Sequence, residues 1–211
     1  VIGSSVFQDN KTVSNIIIPS SVKTIGYSSF KGCTNLKNIG DISNCETIGQ
    51  YAFYGCSNLT HVDLSSCKII CDNAFYDCTN LTSISFPSSL TDIGDSAFKR
   101  CTSLTSIDCS GNLYRIASDA FSSCTSLMSV SFPDSLTFIG GGAFEGCTSL
   151  TDVSYLSNWD FSWLYDLDYM FSGCTNLSDV SALNNWNINQ NDDPGVFDNT
   201  AVTTYPTWYT I

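Results

Sequence analysis

The chain has 211 residues, 43% of them hydrophobic and 13% aromatic, and its eight Lys and Arg against twenty Asp and Glu give a formal charge of −12. That apolar content excludes global disorder. So few cations exclude a basic stripe able to displace counterions from nucleic-acid phosphates or to settle on an anionic membrane, and no apolar run reaches the roughly 18–20 residues a bilayer requires.

The opening VIGSSVF has neither the basic start nor the apolar stretch of a signal peptide. It reads instead like the tail of a repeat, as in TIGYSSF at 24–30 and FIGGGAF at 138–144. The expectation is a piece of a longer protein, with signal and anchor outside it. Phe then recurs at 7, 30, 53, 75, 98, 121, 144, 171 and 197, spaced 22 or 23 residues apart until the last two intervals of 27 and 26. Counting that Phe as position 0, position 3 is Cys in seven units, from Cys33 to Cys174. Position 6 is Leu from Leu36 to Leu177, and position 9 is Ile or Val from Ile16 to Val180. A fixed period of this length marks stacked repeats, none of which can bury its apolar face alone.

Within a unit, LTSISF at 81–86 alternates apolar and polar residues, which predicts a short strand. Pro19, Pro87 and Pro133 lack a ladder donor and should end it. A second extended piece follows, such as LTDIG at 90–94, and Gly26, Gly49, Gly94 and Gly140 then turn the chain. The stretch DSAFKRC at 95–101 predicts a helical turn with Ala97 and Phe98 facing inward.

The pattern LTSISFPSSLTDIGDSAFKRC at 81–101 resembles the BspA-like, or Treponema pallidum-type, leucine-rich repeats, and the likeness covers residues 1–155. From about 156 the chain, NWDFSWLYDLDYMFSGCTNLSDVSALNNWNI, resembles the divergent W-D-x-S…M-F-x-x-C-x-x-L units at the ends of related surface proteins. Pattern and resemblance together predict an α/β fold: a right-handed leucine-rich-repeat solenoid, or α-β horseshoe. A parallel sheet lines one face, with short helical turns and extended segments on the other. Residues 1–155 are the regular repeats; 156–211 are longer repeats and a cap continuous with the same solenoid, the loop NINQNDDPG and the final VTTYPTWYTI closing its edge. The resemblance implies a monomeric, non-enzymatic cell-surface or secreted module without cofactor. Its partners would be extracellular or host proteins, with glycans as a second class, and its role adhesion. The alternatives are a passive spacer displaying another domain and an appendage of an enzyme.

Eleven Cys in the chain invite a metal or disulfide reading. No CxxC pair occurs, and seven Cys hold an inward slot beside Leu, so buried free thiols are expected. Cys45 and Cys67 share a core slot, Cys71 replaces a turn Gly and Cys109 a strand Phe; a Cys45–Cys67 disulfide stays open as the alternative. His61 is the one histidine; with Asp63 and Ser83 it superficially suggests a hydrolase, yet an open sheet face offers neither oxyanion hole nor dry pocket. Asp160, Asp166, Asp168, Asp192 and Asp193 lack the EF-hand order and read as a solvated acidic surface. The outward positions 8 and 10 of the first strand form the candidate binding strip: His61, Asp63, Ser83, Ser85, Ser106, Asp108, Ser129, Ser131, Asp152 and Ser154. It is small, polar and without an aromatic anchor, as in a weak binder or a spacer. The second candidate is a C-terminal aromatic patch of Trp159, Trp163, Tyr165, Trp186, Trp208 and Tyr209, set against the plainer reading that larger aromatics fill wider coils and the end cap.

Overall fold

A computed structural model of the chain describes residues 1–109, 111–157, 166–186 and 195–209. The chain winds into stacked coils, one per repeat. The second extended piece of each coil supplies a strand of two residues. Thr24–Ile25, Thr47–Ile48, Ile69–Ile70, Asp92–Ile93, Arg115–Ile116 and Phe138–Ile139 make one six-stranded, wholly parallel sheet in coil order. Register is constant, so Ile25, Ile48, Ile70, Ile93, Ile116 and Ile139 pair in sequence and are all fully buried. A β-branched side chain suits that half-buried, pleated surface.

The leucine-rich segment, where the continuous sheet was expected, pairs only locally. His61–Asp63 joins Ser83–Ser85, and Ser106–Asp108 joins Ser129–Ser131, as two separate two-stranded sheets. Pro87 and Pro133 follow two of these strands closely and carry no amide to extend the ladder. Asp152 and Ser154 are in no strand. The Asp152 carboxylate accepts the Ser154 N–H at 2.7 Å, which bends the chain into a 3-10 helix at Ser154–Leu156. Asp179 does the same to Ser181 at 2.9 Å ahead of Ser181–Asn185.

The α/β horseshoe is corrected too: among the described residues there is no α-helix, and the fold is a parallel-sheet solenoid of stacked coils. In the predicted helical turn, Ser96, Phe98 and Arg100 donate their N–H groups to Ser118, Ala120 and Ser122 of the next coil at 2.8–2.9 Å. The intervening Ala97, Lys99 and Cys101 donate three residues back, to Gly94, Ser96 and Phe98. Every second amide thus leaves its own coil, which an α-helix forbids. Ser96 and Arg100 reach this geometry at φ of 54° and 63°, and left-handed residues recur at both places from coil to coil. Gly49 shows how close the coils run: a Cβ there would stand 2.8 Å from the Ile25 carbonyl oxygen.

Inside, the nine repeat Phe rings stack as one spine, with successive centroids 5.1–6.0 Å apart and planes within 11° of parallel. Cys at position 3 completes each rung. Its own N–H donates to the Phe carbonyl of the same coil, as Cys101 to Phe98 at 3.1 Å. Its thiol donates to the Phe carbonyl of the preceding coil, at 2.9–3.2 Å in all seven cases. A carbonyl can accept both bonds, so a small apolar residue with a weak donor fits where Ala or Val would leave one lone pair unused. All eleven Cys are free thiols, Cys45 and Cys67 included; ten are buried and Cys71 is half-buried.

Candidate interaction surfaces

The predicted strip is where its spacing put it, but not as one array. His61, Ser83, Ser106, Asp108, Ser129 and Ser131 are outward on strands, in the register His61↔Ser83, Asp63↔Ser85, Ser106↔Ser129 and Asp108↔Ser131. The Ser83 hydroxyl and His61 Nδ1 lie 3.4 Å apart on the exposed face, while the Asp63 carboxylate turns away to accept the Ser65 N–H at 2.9 Å. A relay of serine, histidine and aspartate is therefore not assembled. Asp63 and Asp152 cap their own chain, and their carboxylates are partly spent on that.

Trp159, Trp163 and Tyr165 lie outside the described residues, as do Asp160, Asp192 and Asp193. Trp186 is buried and belongs to the core rather than to a surface patch: its indole N–H donates to the Leu156 carbonyl at 2.9 Å. Trp208 stacks on it at 5.7 Å and donates to Leu183 at 2.8 Å, repeating the rung one coil on. Tyr209 meets Phe197 edge-on at 5.1 Å. Three half-buried rings, Tyr205, Trp208 and Tyr209, pack against the last Phe of the spine.

Two surfaces escaped the sequence reading. One is the outward face of the six-stranded sheet. Behind it stands Ile in every coil; on it stand Thr24, Thr47, Ile69, Asp92, Arg115 and Phe138. Ile69 and the neighbouring Tyr114 are exposed, and the Arg115 guanidinium lies 5.5 Å from the Phe138 ring centre. A hollow of about 370 Å³ opens here, lined by Ile69, Cys71, Asp72, Asp92 and Arg115 among others. Burial raises the Cys71 thiol above its ordinary pKa, and Asp72 adds to that, so it is not an activated nucleophile. Lys23, Glu46 and Lys68 flank the face as an exposed ion-paired row at 3.8 and 2.8 Å. The alternation of constant and changing residues is visible in the sequence; it was missed because the sheet was assigned to the other segment.

The second is a tyrosine cluster on the turn face: Tyr27, Tyr51, Tyr54 and Tyr76, from three successive coil boundaries, with Lys31 against it. Farther along the same face, a hollow of about 300 Å³ is lined by Lys99, Asp119, Glu145, Asp166, Asp168 and Tyr169. Lys99 pairs with Asp119 at 3.1 Å, and burial with the nearby Asp166 charge raises the Asp168 carboxyl. Among the described residues no group of three or more His, Cys, Asp or Glu is arranged to hold a metal ion.

A family profile for the BspA type leucine-rich repeat region matches residues 1–113, 64–178 and 91–207. The chain belongs to this family. A leucine-rich repeat protein from Bacteroides ovatus is 29% identical, with a TM-score of 0.72 over 89% of this chain and 50% of that one. The Treponema pallidum leucine-rich repeat protein is 28% identical, with a TM-score of 0.57 over 85% of this chain and 72% of its own. A leucine-rich cell surface protein from Faecalibacterium prausnitzii, 24% identical with a TM-score of 0.52 over 83% and 69%, shares the fold. The chain spans about half the length of the Bacteroides ovatus protein. No curated protein matches it. No helix among the described residues is long and apolar enough to cross a membrane.

Proposed function

We propose that this BspA-type chain is a non-enzymatic interaction module of a bacterial surface protein, serving attachment to host or neighbouring cells. It binds a partner protein across the outward face of its six-stranded sheet. One observation carries the reading. The six inward positions hold Ile without exception, while the six outward neighbours are Thr, Thr, Ile, Asp, Arg and Phe. A passive spacer gains nothing from an exposed Ile69 or from Phe138 under Arg115, whereas Arg and aromatic side chains are the ones that anchor protein interfaces. The polar strip at positions 8 and 10, monotonous in Ser and Asp, is the weaker candidate for the same task.

The test is direct binding of the chain to immobilised extracellular-matrix proteins and mucins, compared among three proteins. These are the wild type, an Ile69→Asp/Phe138→Asp face variant, and an Asp63→Lys/Asp108→Lys strip variant. The expected result is saturable binding that the face variant loses by tenfold or more and the strip variant keeps. Loss in the strip variant alone would move the site to the strip. Silence across the panel, with each protein folded by circular dichroism, would leave the spacer.

A further inference from the structure

We propose that the tyrosine cluster on the turn face docks a cationic polypeptide segment, with one Lys or Arg of that segment entering the notch between Tyr51 and Tyr54. The inference rests on the reading of the chain as an interaction module and assigns it a second, separate face. The notch already demonstrates its chemistry. The Lys31 ammonium sits 5.1 Å from the Tyr51 ring centre and 5.2 Å from that of Tyr54. Among the described residues it makes no ion pair with a carboxylate, so ring faces alone hold it. Tyr76 stacks on Tyr54 at 4.8 Å, Tyr27 meets Tyr51 edge-on at 5.8 Å, and Tyr27 is half exposed. The platform thus continues on both sides of the notch.

The backbone at Tyr51 adds an independent sign. Its φ is +58°, the left-handed region that a bulky side chain avoids. At the same place other coils carry Ser5, Ser28, Asn73, Ser96, Asp119, Gly142 or Gly195, of which Asn, Asp and Gly adopt that region readily, and Tyr169 stands there at φ +56°. The fold has a cheaper residue available and does not use it here. Tyr51 and Tyr169 are the two bulky side chains held at this place among the described residues, and at Tyr51 the ring's contacts with Tyr27, Tyr54 and Lys31 offset the strain.

Charge selects the occupant. Aromatic platforms serve sugars as well as cations, but this one stands on a chain of net charge −12 and already holds an ammonium. Asp77, which helps raise the Tyr54 hydroxyl pKa behind burial and Tyr76, is itself paired with Arg100 at 3.1 Å, so the attraction comes from the chain's overall charge. A basic segment is therefore drawn toward the surface and seated by the rings, displacing the flexible Lys31 into water.

The experiment uses the full chain and a fluorescein-labelled octalysine probe at physiological ionic strength, read by anisotropy. A Tyr51→Asn/Tyr54→Ser variant keeps the net charge and takes residues that equivalent coils carry at Asn73 and Ser122. It should bind about tenfold more weakly, as the loss of two exposed cation–ring contacts implies. Lys31→Gln removes the internal competitor and should bind several-fold more tightly than Lys37→Gln, which changes the charge equally away from the cluster. Equal binding by the double variant and the wild type would reduce the effect to net charge and overturn the proposal, as would no binding at all. A neutral oligosaccharide, chitohexaose, that shifts the Tyr51 and Tyr54 ring resonances where octalysine does not would also overturn it. Matrix-protein binding that survives in the double variant leaves the sheet-face reading standing whatever happens here.

Discussion

Removing one ring from the middle of the phenylalanine spine tests the packing account most sharply. Phe98 is fully buried, stacked on Phe75 at 5.2 Å and Phe121 at 5.4 Å, with Phe86 edge-on at 5.5 Å. Phe98→Ala removes the ring and leaves a gap that the neighbouring coils cannot close, because their spacing is set by the ladders on either side. Large-to-small changes of this kind cost about 3–5 kcal/mol, and three ring contacts place this one at about 4–5 kcal/mol. Phe98→Leu restores most of the apolar volume and forfeits the ring geometry, for about 1–2 kcal/mol. Phe7→Ala is the internal control: that ring is half-buried and stacks on Phe30 alone, so about 1–2 kcal/mol is expected. Urea unfolding gives the differences from midpoints at a common slope. Equal costs for Phe98→Ala and Phe7→Ala would refute a continuous spine that gains strength from neighbours on both sides.

Other consequences follow from the thiols and the turns. With Ellman's reagent the native chain should show one reactive thiol, Cys71, and all eleven after denaturation; fewer in denaturant would mean disulfides, and a second native one would contradict the burial. Burial pushes Cys67, Cys109 and Cys174 up to about 12 from the ordinary 9.0, so below pH 9 both folded and unfolded forms are neutral and this stability is fully present. Between pH 9 and 12 only the unfolded thiols ionise, and stability should fall by at most about 1.4 kcal/mol per pH unit for each such thiol. Thermal melts across that range check it, and a Cys67→Ala variant with an unchanged slope would refute the assignment for that site. Tyr51→Asn should raise stability by up to about 1 kcal/mol by relieving the left-handed backbone, seen as a higher urea midpoint; a lower midpoint would mean that the ring's packing outweighs the relief.

The radius of legibility in this sequence was one coil. Repeat length, the inward Phe, Cys, Leu and Ile, and the free state of the thiols could be read because each depends on a side chain's own character and its slot. What could not be read depends on the neighbouring coil. DSAFKRC looks helical by local pattern, yet its alternate amides donate to residues 22 positions ahead, and the left-handed places at Ser96 and Arg100 carry no glycine to announce them. The leucine-rich segment carries the familiar strand signature but few rungs, while LTDIG, with only Asp92–Ile93 in the strand, forms the continuous sheet because its register never breaks. That exchange of sheets moved the candidate surface from the serine strip to the face bearing Ile69, Arg115 and Phe138. Trp186 is taken into the core by the wider C-terminal coils, the explanation that the sequence offered beside a surface patch.

The most direct measurement of the central claim is hydroxyl-radical footprinting of the chain alone and with whichever matrix protein the binding test identifies. Tyr114, 46% exposed, and the half-buried Phe138 report on the sheet face. Met128, 55% exposed, and His61 report on the strip side. Binding through the six-stranded sheet predicts that oxidation of Tyr114 and Phe138 falls while Met128 and His61 oxidise as before. Protection of Met128 and His61 with Tyr114 unchanged would contradict it.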